Sequence, residues 1–144
     1  MKWGSYFSPA PKYHDIVRAA LERDGWLITD DPLRIEVGDR TIKIDLGAER
    51  LIAAEKGEEK IAVEIKSFVG VSQLQDFYMA LGQFSYYQVA LEKTEPSREL
   101  FLAVPDVAYS TFFKEPMTAE VARRHKVRLL VYEILGQKII LWER

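Results

Sequence analysis

The sequence predicts one α/β domain in which a mixed β-sheet is flanked by helices. Segments with helical spacing interrupt runs of two-residue alternation in the order helix, several strands, helix, strand, helix, two strands. With 144 residues, 48% of them hydrophobic and 12% aromatic, the chain can build one packed core and is too short for two comfortable ones. No internal repeat, low-complexity tract or Gly/Ser linker divides it, so residues 1–144 are read as a single domain.

Tyr13, Ile16, Val17, Ala20 and Leu21 follow helical spacing after Pro11, and Gly25 suits a helix end. A short strand from Trp26 to Thr29 closes at Asp30-Asp31-Pro32, and Leu33, Ile35 and Val37 then alternate with Arg34 and Glu36. After a turn at Gly38-Asp39, Ile42, Ile44 and Leu46 alternate with Thr41, Lys43 and Asp45, which puts Asp45 opposite its aliphatic neighbours. Strands from Leu51 to Glu55 and Lys60 to Ser67 flank a turn around Gly57. In the second, Ile61, Val63 and Ile65 face one way and Ala62, Glu64 and Lys66 the other. A helix from about Gln73 to Lys93 carries a broad apolar stripe, with Gln83 and Tyr87 one turn apart beside it. Leu100 to Val104 reads as a strand ended by Pro105. Helical stretches from Val107 to Phe113 and Thr118 to Lys126 are split by Pro116, and Val127 to Ile134 with Lys138 to Trp142 form a hairpin around Gly136.

Lys and Arg number 20 against 22 Asp and Glu, a formal net charge of −2, so any nucleic-acid site must be a local basic patch. The absence of cysteine excludes disulfides and thiolate metal sites. No apolar run reaches the roughly 18 residues of a membrane span, and the first residues lack a signal-peptide pattern, so a cytoplasmic protein is expected.

The chemistry sits in Val63-Glu64-Ile65-Lys66, which sets a carboxylate and an ammonium two residues apart on one strand face. Phosphodiester hydrolysis uses that combination: carboxylates hold Mg²⁺ or Mn²⁺, while a lysine positions the attacking water or neutralises developing charge. A lone carboxylate binds Mg²⁺ weakly, and Asp45 is the natural second ligand. A Glu-x-Lys pair alone is usually an exposed charge pair. Here an upstream strand with an aspartate, a following helix and a further strand give it context.

These residues resemble the PD-(D/E)XK superfamily of restriction-endonuclease-like folds, whose core runs αβββαβ. The resemblance covers about Tyr13 to Val104, with Asp45, Glu64 and Lys66 matching the motif and Ile44 replacing its proline. Gln83-Phe84-Ser85-Tyr86-Tyr87 resembles the Gln-x-x-x-Tyr motif of RecB-like members, which implies roles for Gln83 and Tyr87 beside the site. More narrowly, Ile44 to Glu55, Ile61 to Phe68, Asp24-Gly25-Trp26, Ala80 to Gln83 and Leu102 to Pro105 look like the XisH family, named for controlling excision of the fdxN element. That resemblance implies a DNA-linked, recombination-controlling role with a XisI-like protein as companion.

A turn near Gly57-Glu58 would set Glu64 opposite Leu51 and Lys66 opposite Glu49, with Asp45 beyond the pair. Either a bend at Gly47 returns Asp45 to the cluster or Glu49 is the second metal ligand. His14 could approach the cluster as ligand or base, or be a surface or capping group; Asp15 could serve there or favour the helix N-terminus. Arg123, Arg124, His125, Lys126 and Arg128 form the densest basic run. It reads equally as a phosphate-tracking patch, with Arg123, Arg124 and Lys126 binding nucleic acid, and as cations stabilising a helix C-terminus. Trp3, Tyr6 and Phe7 could pack on the domain or on a second copy in a homodimer.

Two functions follow. The first is a Mg²⁺-dependent endodeoxyribonuclease in which Asp45 and Glu64 bind metal, Lys66 assists the water and Gln83 orients it. The alternative is a non-catalytic regulator that binds DNA or the XisI-like partner and controls a separate recombinase.

Overall fold

The computed structural model describes residues 13–42, 51–69 and 71–144. Asp45, Glu49, Gly47 and the aromatics Trp3, Tyr6 and Phe7 therefore lie outside the described residues. In chain order the elements are α1 (Tyr13–Arg23), β1 (Leu27–Asp30), β2 (Ile35–Val37), β3 (Arg40–Ile42), β4 (Leu51–Lys56), β5 (Glu59–Ile65) and α2 (Gln73–Thr94). They continue with β6 (Arg98–Pro105), α3 (Asp106–Ser110), a 3₁₀ turn (Phe112–Lys114), α4 (Pro116–Arg124), β7 (Leu129–Glu133) and β8 (Lys138–Glu143).

Among the described residues the main sheet has six strands in the order β1-β4-β5-β6-β7-β8. Its middle is parallel because helical crossovers join β5 to β6 and β6 to β7, whereas β4–β5 and β7–β8 are antiparallel hairpins. Both outer strands carry a register irregularity, between Ile28 and Asp30 in β1 and opposite Val131 and Tyr132 in β8. The predicted mixed sheet with flanking helices is present. The strand expected through Ile42, Ile44 and Leu46 lies mostly outside the described residues. β3 pairs with β2 in a separate two-stranded sheet, whose apolar Ile35 packs into the core beneath α2.

The sheet separates two cores. On one face α1 lays Ile16, Val17 and Leu21 over Ile61, Val63 and Ile65 of β5 and Phe101 of β6. On the other, Phe77, Phe84, Tyr87 and Leu91 of α2 cover Leu51, Ala62, Leu100 and Leu102, with Phe112 and Phe113 closing the far end. Two-residue alternation in β5 thus sends its aliphatic set to α1 and its Ala62/Glu64 set to α2.

Chain punctuation acts as its chemistry requires. Gly25, at φ +90°, takes the left-handed position ending α1, where the Trp26 N–H donates to the Leu21 carbonyl at 3.0 Å and the Gly25 N–H to that of Glu22 at 3.1 Å. Pro116 opens α4 at its first turn rather than merely separating two helices. In the β7–β8 turn the left-handed residue is Gln137, not Gly136. A Cβ at Gly136 would meet only the mobile end of the Glu133 side chain, whose carboxylate could swing aside.

Candidate active site

Glu64 lies near the end of β5, opposite Leu51 of β4 and beside Leu102 of β6. Pairing with Leu51 is the register expected from the Gly57 turn. The ladder continues one residue past the strand, where the Lys66 N–H donates to the Ala103 carbonyl at 3.1 Å. Alternation therefore holds through Lys66, and the Glu64 and Lys66 side chains share the α2 face. Both are buried, 1% and 3% exposed. Taking a carboxylate and an ammonium out of water costs several kcal/mol each, so this is not the solvated charge pair that a Glu-x-Lys pattern usually marks.

The next residues lock this placement. Phe68 is in the left-handed region at φ +56°, a conformation that bulky side chains avoid. It is held there by aromatic packing, with ring centroids 5.2 Å from Phe113 and 6.2 Å from Phe112. Ser72 then caps α2, its hydroxyl accepting from the Gln75 N–H at 3.1 Å.

Across from β5, Tyr87 of α2 is buried, and burial together with the charge of Glu64 pushes its hydroxyl well above the ordinary tyrosine range. A neutral phenol beside a carboxylate follows. Tyr87 thus belongs to the core around Glu64 and offers no accessible surface to nucleic acid. One turn earlier, the buried Gln83 Oε1 has no hydrogen-bond partner among the described residues.

The family model described as "XisH protein" matches residues 8–140. The chain belongs to the XisH family. It is 43% identical to an XisH family protein from Nostoc punctiforme PCC 73102, with a TM-score of 0.85 over 92% of this chain and 98% of that one. It is also 43% identical to a protein from Anabaena variabilis described as an fdxN element excision controlling factor, with a TM-score of 0.86 over 94% and 100% of the two chains. No curated protein matches. The XisH resemblance read from the motifs is thereby established.

In this XisH-family chain, His14 is paired away from Glu64. Its Nε2 lies 2.8 and 2.7 Å from the two carboxylate oxygens of Asp31, and its Nδ1 lies 3.0 Å from Asp15. Arg18 Nη1 donates to Asp31 at 2.6 Å. The helix and loop that carry this cluster lie against the α1 core, and neither ring nitrogen is left for a metal at Glu64. Nothing in the residue pattern signalled the Asp31 partnership, because the loop that delivers it has no periodicity. Of the basic run, Arg124 turns outward to Glu120 at 2.6 Å, while Arg123 and Lys126 line a separate groove between α4 and the ends of β7 and β8.

No group of three or more His, Cys, Asp or Glu side chains suited to a metal occurs among the described residues. Among the described residues no helix is long and apolar enough to cross a membrane.

Proposed function

We propose that this chain acts on DNA as a metal-dependent phosphodiester hydrolase with a PD-(D/E)XK-like centre. The observation that carries the reading is the burial of Glu64, near the end of β5, and of Lys66, just past it, with the charge of Glu64 felt by the buried Tyr87 of α2. A structural role gives no reason to spend that much desolvation on a strand end. The name of the Anabaena relative, a controlling factor for excision of a DNA element, supports DNA as the target.

The residues fit a hard divalent cation, Mg²⁺ or Mn²⁺. Glu64 offers carboxylate oxygen, and the unpartnered Gln83 Oε1 is an acceptor suited to a metal-bound or attacking water. Asp45 or Glu49 would complete the ligand set. When bound, the cation supplies Lewis-acid activation of the phosphodiester. Lys66 would neutralise charge developing on phosphate oxygens and hold the nucleophilic water, and Gln83 would orient that water by accepting its hydrogen. Tyr87, kept neutral, would add no opposing charge beside Glu64.

The test is cleavage of supercoiled, linear and branched DNA in Mg²⁺ and Mn²⁺, alone and with a XisI-like companion. Wild type is expected to cut, and Lys66→Ala and Glu64→Gln to lose about a hundredfold or more with an unchanged circular dichroism spectrum. Calorimetric Mn²⁺ titration of Asp45→Asn and Glu49→Gln identifies the second ligand. An intact protein that binds no metal and cuts none of these substrates sinks the hydrolase. The relative's name, which speaks of control and not of cutting, favours the second reading in that case: a non-catalytic regulator binding DNA or its companion.

A further inference from the structure

The groove beside α4 is a strongly cationic concavity in an acidic chain. Lys114, Arg123, Lys126, Arg128 and Arg144 line about 720 Å³, against the carboxylates of Glu120 and Glu143. Both carboxylates are already engaged, Glu120 with Arg124 at 2.6 Å and Glu143 with the Tyr109 hydroxyl at 2.5 Å. Arg128 and Arg144 lean on Glu99 at 3.2 and 3.4 Å. The side chains of Arg123 and Lys126 have no ion-pair partner among the described residues. In a protein of net charge −2, this concentrates positive potential in one place.

A second observation concerns the backbone. α4 ends in the same hydrogen-bonded motif as α1: the Val127 N–H donates to Ala122 and the Lys126 N–H to Arg123, each at 3.0 Å. In α1 the left-handed position of that motif is filled by Gly25. In α4 it is filled by Lys126, at φ +54°. Lysine is uncommon at a left-handed position that glycine favours; its charge suits the end of α4, and its side chain lines the groove.

We propose that this groove binds the phosphate of a nucleotide, with Lys126 and Arg123 as its principal contacts. Forked guanidinium and ammonium donors suit phosphate oxygens, Tyr109 and Phe113 add an aromatic border, and the volume matches a nucleotide-sized group better than an extended chain. The phosphate can come from a free nucleotide or from a DNA strand. The site is distinct from Glu64: Glu143 lies in the same row across the sheet, three strands away, about 14 Å by strand spacing. The inference deepens the DNA-directed reading without requiring hydrolysis.

Fluorescence anisotropy with a labelled single-stranded oligonucleotide in EDTA tests it, with AMP, inorganic phosphate and oligoglutamate as competitors. Lys126→Gly and Arg123→Ala are each expected to weaken binding about tenfold and to lower the salt slope by about one. Lys66→Ala should bind as wild type does, so loss of cleavage and loss of groove binding are separable. Lys126→Gly should also melt at or a few degrees above wild type, because glycine relieves the backbone. This separates a lost contact from a damaged fold. Displacement by AMP at comparable concentration assigns the site to free nucleotides; displacement only by unlabelled oligonucleotide assigns it to a strand. Wild-type failure to bind either, unchanged affinity in Lys126→Gly, or equal displacement by oligoglutamate overturns the proposal.

Discussion

At residue 31 a carboxylate receives donors from two positions on α1, His14 and Arg18. Burial alone would raise its pKa, but those hydrogen bonds and charges outweigh burial and hold it below the ordinary value of 3.8. The folded chain therefore releases this proton more readily than the unfolded one. Its contribution to stability is complete above about pH 4 and disappears as pH falls through the lowered value. Asp31→Asn should cost about 1–3 kcal/mol near neutral pH, and melting curves should show the gap to wild type closing below pH 4. At this scale the sequence was readable where side chains repeat with a strand's period. The shared face of Glu64 and Lys66 followed from alternation, and the pairing of Glu64 with Leu51 from one turn. The partner of His14 was not readable, since Asp31 sits in an aperiodic loop 17 residues along the chain.

The elements were legible in proportion to the length of their patterns. α2, expected from Gln73 to Lys93, runs Gln73–Thr94, and β5 departs from its expected bounds only at the ends. What could not be read was how a short hairpin chooses its neighbours. β2 and β3 satisfy their apolar residues against α2, an option with the same alternation as joining the main sheet. Phe68 was likewise hidden, because its left-handed backbone is imposed by Phe112 and Phe113 from far along the chain. Gly25 gives a direct test of element ends. Gly25→Ala keeps enough room, the nearest atom being the flexible Lys56 Cε at 3.4 Å, so its effect isolates the φ of +90°. It should destabilise by about 1 kcal/mol in urea titrations, with an unchanged m-value.

For the whole molecule, the decisive feature is one sheet serving two cores, with adjacent residues of β5 committed to opposite faces. Damage on either face must therefore be felt on the other. Leu21→Ala, beneath α1, and Phe84→Ala, beneath α2, should each cost about 2–5 kcal/mol. Both variants should still unfold in one transition, with near- and far-ultraviolet circular dichroism coincident. Separate transitions would show that the faces are independent. The irregular registers of β1 and β8 carry a further consequence at the rim. Outer strands with free backbone donors and acceptors invite a neighbouring molecule to add on, and β8 exposes Ile140 and Leu141 there. A kinked rim offers no straight template, so these bulges disfavour edge-to-edge growth of the sheet.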